Sequence, residues 1–411
     1  MAGVSSPRTS SDGASNGIVT ALQGAGPRFA ALPPLSLYVH VPWCVRKCPY
    51  CDFNSHEVGE ELPESAYTAA LVRDLEQDLP AVWGRPVISL FIGGGTPSLL
   101  SPETVDALLS NLRARLCLVP DAEITLEANP GTVDRARLAE LRAAGINRLS
   151  LGVQSFNDDS LRRLGRIHDA ATARDAIEAV TAAGFENWNL DLMYGLPGQD
   201  EQAALADLDT ALACKPPHLS HYQLTLEPNT AFYRHPPPLP AEEVLWHMHR
   251  RCAERLATAG YVHYEVSAHA LPGRACRHNL NYWQFGDYLG IGAGAHAKLS
   301  DAATNTVKRF SKPRHPRAYL ARAGTPDGVV NPRNLAPPDL VLEFMMNALR
   351  LTEGVPRALF QDHTGLPPLA ASRGVEEGIR RGLLEDDPTH FRPTGLGRRF
   401  LDDLVALFVP A

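Results

Sequence analysis

No stretch of this sequence approaches the roughly 20 consecutive apolar residues that a bilayer-spanning helix needs, so it predicts no transmembrane segment. Residues 1–35 also lack the uninterrupted apolar core of a secretory signal. They are rich in Ser, Gly, Ala and Pro and are expected to form a disordered N-terminal extension. A basic excess is missing too: 39 Lys plus Arg stand against 46 Asp plus Glu, for a net charge of −7. That balance argues against a nucleic-acid partner, which needs a basic face. Of the seven cysteines, three are clustered and Cys117, Cys214, Cys252 and Cys276 are scattered. Such spacing is not a disulfide framework, and it predicts a reducing, cytoplasmic setting. At 411 residues, with 44% hydrophobic and 21% charged residues, the chain reads as a globular protein with one large and one smaller domain.

What is present is a clip of thiols. Cys44, Cys48 and Cys51 stand as C-x3-C-x2-C directly after the apolar run Leu37–Val41. Three clustered thiolates hold three irons of a [4Fe–4S] cluster and leave the fourth without a protein ligand, whereas electron-transfer clusters usually take four cysteines. An open iron invites a small-molecule ligand. The alternatives are inert thiols or a zinc site, with His40 or His56 as the fourth tetrahedral ligand.

From residue 36 onward, short β-branched runs alternate with amphipathic stretches. Strands are expected at Leu37–Val41, Val87–Ile92, Glu123–Ala128, Arg148–Val153, Trp188–Met193 and His218–Leu224, with helices near 63–79, 102–116, 133–143, 169–183 and 200–213. Alternation of this kind implies parallel pairing, hence an α/β barrel or an open sheet. Ser101-Pro102 reads as a helix start, and Gly145 and Gly184 as helix stops. The strand ends carry unusual residues: the cysteines, Gly93–Pro97, Glu127–Pro130, Gln154–Phe156, and Asp191 ahead of Tyr194–Gly198. In barrels of this class the loops after the strand C-termini build the site.

Beyond residue 225, His235–Pro240 marks a turn or short rigid linker, followed by a helix near 241–259 and a strand at Tyr261–Val266. From about 335 the expected order is three helices, a hairpin around Leu383–Arg392 and a last helix, which resembles a winged-helix module. Eight Arg and no Lys against eleven Asp plus Glu over 335–411 argue against a DNA-reading role for it.

The cysteine clip after the first strand and Gly93-Gly94-Gly95-Thr96-Pro97 after the second resemble the radical S-adenosylmethionine (SAM) superfamily. That resemblance implies a partial (β/α)6 barrel over 36–230, a [4Fe–4S] cluster on Cys44, Cys48 and Cys51, SAM chelating the open iron through its amino and carboxylate groups, and an electron donor. One electron from the reduced cluster then cleaves SAM to methionine and a 5′-deoxyadenosyl radical. By the same likeness the loop with Gly94, Gly95 and Thr96 contacts the SAM amino group, Glu127 binds the ribose hydroxyls, and Tyr38 and Tyr50 lie against SAM. Read without the likeness, these are a tight turn, a solvated carboxylate and two packing tyrosines.

Gly152–Phe156, Leu164–His168 and Leu190–Pro197 are similar to the oxygen-independent coproporphyrinogen oxidase-like group, which implies that Gln154, Arg166 and Asp191 serve a SAM-binding surface. A structural Arg–Asp ion pair is the plainer alternative. The oxidase itself carries a further cysteine two residues after the third, where this chain has Phe53. His278-Asn279-Leu280-Asn281-Tyr282-Trp283 instead resembles the H-N-x-x-Y-W signature of the haem chaperone HemW family, which implies His278 as a haem ligand, with Cys276 as an alternative axial thiolate. No C-x-x-C-H motif for covalent haem attachment is present. Residues 231–334 are then a family-specific linker and haem-binding region, and 335–411 the C-terminal module. The likeness covers about 36–410. It implies a haem chaperone that delivers haem to an acceptor haemoprotein. The runner-up is coproporphyrinogen III oxidase, and radical-SAM modification of RNA lacks the basic signal. No catalytic residue is singled out.

Overall fold

The computed structural model describes residues 26–410, so the extension expected over 1–35 lies, as far as residue 25, outside the described residues. Two compact units divide the chain: one comprises 34–299 and 308–333, the other 334–411 with 300–307 and the residues before 34. In the larger unit six strands, β1 (Leu35–Val41), β2 (Pro86–Gly94), β3 (Cys117–Ala128), β4 (Arg148–Gln154), β5 (Trp188–Tyr194) and β6 (His218–Gln223), lie parallel and in chain order. Helices α1 (Glu64–Val82), α2 (Pro102–Arg115), α3 (Arg135–Ala144), α4 (Asp158–Arg163), α5 (Ala170–Ala182) and α6 (Glu201–Ala213) fall between them. All seven residues of β4 and six of seven in β1 are buried. Both alternate aliphatic residues with polar ones or glycine, Leu-Ser-Leu-Tyr-Val-His-Val and Arg-Leu-Ser-Leu-Gly-Val-Gln, so the polar members are enclosed and need partners within the protein.

The expected helix boundaries hold. The Ser101 side chain accepts a hydrogen bond from the Thr104 N–H ahead of α2, and Gly145 ends α3 at φ +116°, a left-handed value that only glycine adopts freely. The parallel core expected of a partial barrel is part of an open sheet of twelve strands. Beyond β6 come the antiparallel β8 (Ala268–Ala270) and β7 (Val262–Glu265). On the other side of β1 lies a strand that was not expected, β9 (Asp287–Ile291), parallel to it with Tyr38 opposite Gly290, followed in the sheet by β10 (His296–Asp301), β11 (Thr306–Ser311) and β12 (Val330–Asn334). Helix α7 (Glu242–Thr258) fulfils the expectation near 241–259, and a short α8 (Arg277–Trp283) precedes β9.

Helix α1 buries Tyr67, Ala70, Leu71, Asp74, Leu75, Asp78 and Val82, the three-and-four spacing of a core-facing stripe. Two carboxylates on that stripe would be costly alone. They meet Lys312, whose Nζ lies 2.6 Å from Asp74 Oδ1 and 2.6 Å from Asp78 Oδ2, while Tyr319 Oη donates to Asp74 Oδ2 at 2.7 Å. No helix among the described residues is long and apolar enough to cross a membrane.

In the smaller unit, helices Pro337–Ala348, Arg357–Thr364 and Ser372–Arg380 precede a last helix at Leu401–Ala406. The rings of Phe344, Phe360 and Phe391 form its aromatic centre, with Phe344 and Phe360 edge to face at 5.0 Å. The expected hairpin near 383–392 is short: the Glu385 N–H donates to the Arg392 carbonyl at 2.9 Å and the Thr394 N–H to the Leu383 carbonyl at 3.0 Å around the Leu384–Pro393 bridge, and His390–Phe391 pairs antiparallel with Val355–Pro356.

Replacing Lys312 by Met leaves Asp74 and Asp78 as buried, uncompensated charges and is expected to destabilise the larger unit by about 3–5 kcal/mol. A thermal midpoint equal to that of the parent protein would show that the network contributes nothing to stability.

Candidate functional site

Two adjoining cavities open at the C-terminal ends of the parallel strands. The smaller, about 140 Å³, is lined by Cys44, Cys48 and Cys51 together with Tyr50, Glu127, Gln154, Arg166 and Asp191. All three cysteines are free and half-buried. Burial pushes the Cys44 and Cys51 thiols up, and the Arg166 Nη1 lies 3.6 Å from Cys48 Sγ. The two histidines weighed as a fourth zinc ligand differ in their surroundings. His40 has both ring nitrogens engaged, Nδ1 with Tyr38 Oη at 2.9 Å and Nε2 with the Asn54 carbonyl at 2.9 Å, while His56 faces the His315 ring at 5.4 Å. No three His, Cys, Asp or Glu side chains among the described residues converge on one point. Thiols spread around a cavity suit a polynuclear cluster, in which each protein ligand binds a different iron.

The glycine run fits the end of β2 against the end of β1. The Gly95 N–H donates to the Val41 carbonyl and the Thr96 N–H to the Trp43 carbonyl, both at 2.7 Å. A Cβ at Gly94 would lie 2.7 Å from the His40 ring, and one at Gly95 would lie 2.5 Å from the Trp43 carbonyl oxygen, one residue before Cys44. The run is therefore a packing element of the cysteine loop as well as part of the cavity wall. The Gly94 N–H donates to Glu127 Oε2 at 3.0 Å. Burial, then repulsion by Asp191, pushes the Glu127 carboxyl up to about 8.

A polar relay links three strand ends. Thr96 Oγ1 accepts from Asn129 Nδ2 at 2.9 Å, and Asn129 Oδ1 accepts from Arg166 Nη2, which also donates to the Gly152 carbonyl at 2.7 Å. Arg166 does not pair with Asp191. Asp191 accepts instead from Asn189 Nδ2 at 2.8 Å and Ser150 Oγ at 3.3 Å. The ion-pair alternative is thus corrected: each group is held by neutral partners and faces the cavity separately. Gln154 sits at φ +71°, a left-handed conformation unusual for a residue with a side chain, and its Oε1 accepts from Tyr222 Oη at 2.7 Å. Local strain of this kind gathers at ligand sites.

The second cavity is larger, about 1040 Å³, and its wall includes His278, Tyr38, Phe91, Tyr282, Trp283 and Tyr288. Tyr38 therefore does not flank the cysteines as Tyr50 does; it points from β1 into this neighbouring space, where its ring lies 6.4 Å from that of His278. Phe53, Gly94 and Glu127 line both cavities. His278 is buried on α8, with the Phe91 ring at 5.1 Å, and its Nδ1 is hydrogen-bonded to Ser89 Oγ at 3.1 Å. Ser89 Oγ meets Ser36 Oγ at 2.7 Å, which accepts from Asn281 Nδ2 at 2.9 Å. Burial, then the Arg148 charge, pushes the imidazole down to about 3, so it stays neutral at physiological pH. Cys276 is turned away: its Sγ donates to Glu123 Oε1 at 3.4 Å, burial pushes the thiol up to about 12, and it does not line the cavity.

Sequence reasoning missed Phe91, Ser89, Ser36 and Tyr222. Ser36 and Ser89 sit inside apolar strands. Their alternation with buried aliphatics was the available signal, since a polar residue within a sealed strand needs a partner. Phe53, 61% exposed, enters the sequence argument only as a missing cysteine, yet it stands where the two cavities meet.

Residues 38–211 match the Radical SAM superfamily and residues 335–400 the HemN C-terminal domain. Over 378 residues the chain is 47% identical to the heme chaperone HemW of Escherichia coli (strain K12), a match that covers 92% of this chain and 99% of that one. The heme chaperone HemW of Haemophilus influenzae is 46% identical over 382 residues, covering 92% and 98%, and that of Mycobacterium tuberculosis (strain ATCC 25618 / H37Rv) is 36% identical over 392 residues, covering 92% and 96%. Among solved structures, the coproporphyrinogen III oxidase HemN of Escherichia coli, a radical SAM enzyme, superposes with a TM-score of 0.77 at 23% identity, covering 96% of this chain and 93% of that one. At that identity the likeness establishes the fold alone. With the cysteine clip at the strand ends, the H-N-x-x-Y-W helix on the wall of the adjoining cavity, and relatives matched along nearly their whole length, the chain carries a radical SAM domain and belongs to the heme chaperone HemW family.

Proposed function

We propose that this chain binds haem in the larger cavity and hands it to an acceptor haemoprotein, with a [4Fe–4S] cluster and SAM held at the adjoining one. The observation that carries this reading is His278, a neutral imidazole fixed through Nδ1 by Ser89 on the wall of a 1040 Å³ cavity with five aromatic side chains named above. Imidazole is a common axial ligand of haem iron, and a partner on one ring nitrogen orients the other toward the metal. Nε2 would then be the atom offered to the iron. Ligand pockets commonly hold about 300–1,000 Å³, so this one has room for a macrocycle.

Cys44, Cys48 and Cys51 would hold the cluster, with Arg166 neutralising thiolate charge at Cys48. The smaller cavity's 140 Å³ is below the usual ligand range, so the SAM site has to include the shared wall. Gly94 and Glu127 belong to that wall, Gly95, Thr96, Tyr50, Gln154, Arg166 and Asp191 to its cysteine side, and Tyr38 to its far side. When bound, cluster and SAM supply one-electron chemistry and draw on an external electron donor. A reducing, cytoplasmic setting accords with seven free cysteines. Coproporphyrinogen oxidation rests on fold likeness alone, and the residue at the oxidase's extra cysteine position is Phe53.

Each of Cys44→Ala, Cys48→Ala and Cys51→Ala is expected to abolish the cluster, read as iron and sulfide content after anaerobic reconstitution. A full complement in all three would overturn the cluster assignment.

His278→Ala should shift the haem absorption bands and weaken binding at least about tenfold, the loss of one metal–ligand bond, while iron and sulfide content stays at the parent level. Cys276→Ala should leave the haem spectrum unchanged. Identical haem titrations for His278→Ala and the parent protein would reject the ligand.

The raised Glu127 carboxyl makes a prediction about pH. A carboxyl with a folded pKa above its unfolded one adds stability below the unfolded value, near 4.5, and loses it as pH rises through about 8. Glu127→Gln removes that titration. In the ligand-free protein the denaturation midpoint of Glu127→Gln should therefore rise relative to the parent between pH 5 and pH 9, whereas a pH-independent difference would contradict the assigned shift.

A further inference from the structure

The wall of the larger cavity is divided by chemistry. Tyr38, Phe91, Tyr282 and Trp283 give it an apolar part beside His278, whereas the end of β11 and the loop after it supply Arg309, Ser311, Lys312 and Arg314. Lys312 is already held by Asp74 and Asp78 at 2.6 Å each. Arg309 is anchored differently. Its Nη1 donates to Tyr288 Oη at 2.6 Å and its guanidinium carbon lies 5.9 Å from the Tyr288 ring centroid, which holds the side chain in place before any ligand arrives. A guanidinium presents its N–H donors in a fixed planar fork that matches a carboxylate. Arg314 is exposed, and its backbone is pinned where the carbonyl accepts from Asn54 Nδ2 at 2.8 Å. After burial, these same two guanidiniums hold the His296 imidazole on the cavity wall below its usual pKa, so their positive field reaches the lining. Among the described residues that line the cavity, Glu127 is the one carboxylate, and the Gly94 N–H holds it at the shared wall.

A ligand suited to this wall is a flat apolar macrocycle with carboxylates on one edge. Buried carboxylates need cations with matched hydrogen-bonding geometry, and arginine offers two parallel donors to each. We propose that Arg309 and Arg314 form an anion clamp for the two propionates of haem, fixing which edge of the porphyrin enters the cavity. The inference rests on the haem reading above and adds orientation and carboxylate selectivity to it. The clamp also accounts for conservation of charge at the wall: two negative groups enter where two positive ones stand.

The test compares iron protoporphyrin IX with its dimethyl ester, in which both propionates are neutral, by absorption titration of the full chain. The parent protein should bind the ester at least about tenfold more weakly than haem, the scale of one charge-assisted hydrogen bond. Arg314→Gln and Arg309→Gln should each weaken haem by about that factor and leave ester binding nearly unchanged, with Arg314→Lys recovering part of the loss. Equal affinity of the parent for haem and ester would overturn the clamp while leaving haem binding intact. So would variants that lose both ligands in parallel, since that pattern reports a damaged cavity. Absence of saturable haem binding by the parent would overturn the haem reading and the clamp together.

Discussion

The contact on which the strand-end architecture depends is the close approach of Gly94 and Gly95 to the end of β1. Two backbone hydrogen bonds, Gly95 N–H to Val41 and Thr96 N–H to Trp43, close only because no Cβ intervenes between the glycine run and the His40 ring or the Trp43 carbonyl. The chain enters the cysteine loop at the next residue. From the same clamp the Gly94 N–H reaches Glu127 at the end of β3, Thr96 reaches Asn129, and Asn129 reaches Arg166 and so Cys48. Three loops far apart in sequence are thereby tied to one backbone junction.

The parallel core was legible because its strands are short local segments, several with an aliphatic or aromatic residue at every second position, and α2 and α3 announce their ends through Ser101 and Gly145. Pairing between distant segments was not. Strand β9 lies beside β1 across some 250 residues of chain, and nothing local to Asp287–Ile291 says which edge it joins. That pairing carries α8, and with it His278, to the side of β2 where Ser89 and Phe91 wait. The signature could name the histidine but not its surroundings. Nor could spacing separate Tyr38 from Tyr50: both flank the clip in sequence, yet β1 turns Tyr38 toward one cavity while the loop leaves Tyr50 in the other.

The electrostatics of the two cavities differ for reasons visible in their walls. On the cysteine side, burial raises the carboxyls of Glu127 and Asp191 together, with Arg166 on thiol, amide and carbonyl partners. On the far side the imidazole is kept neutral by burial and by the Arg148 charge. Titratable groups pushed in opposite directions within one strand-end surface were invisible in composition, because a net charge of −7 says nothing about where the charges are buried.

Phe53, Gly94 and Glu127 form a partition shared by both cavities. A shared partition makes two ligands thermodynamic neighbours even when they never touch. If an occupant on one side shifts the Phe53 ring or the protonation of Glu127, it alters the surface offered to the other, and linkage requires the effect to be mutual and equal in free energy. Cargo capture and cofactor retention are then two readings of a single coupling constant. The sign of that constant decides whether this architecture loads both sites together or trades one occupant for the other.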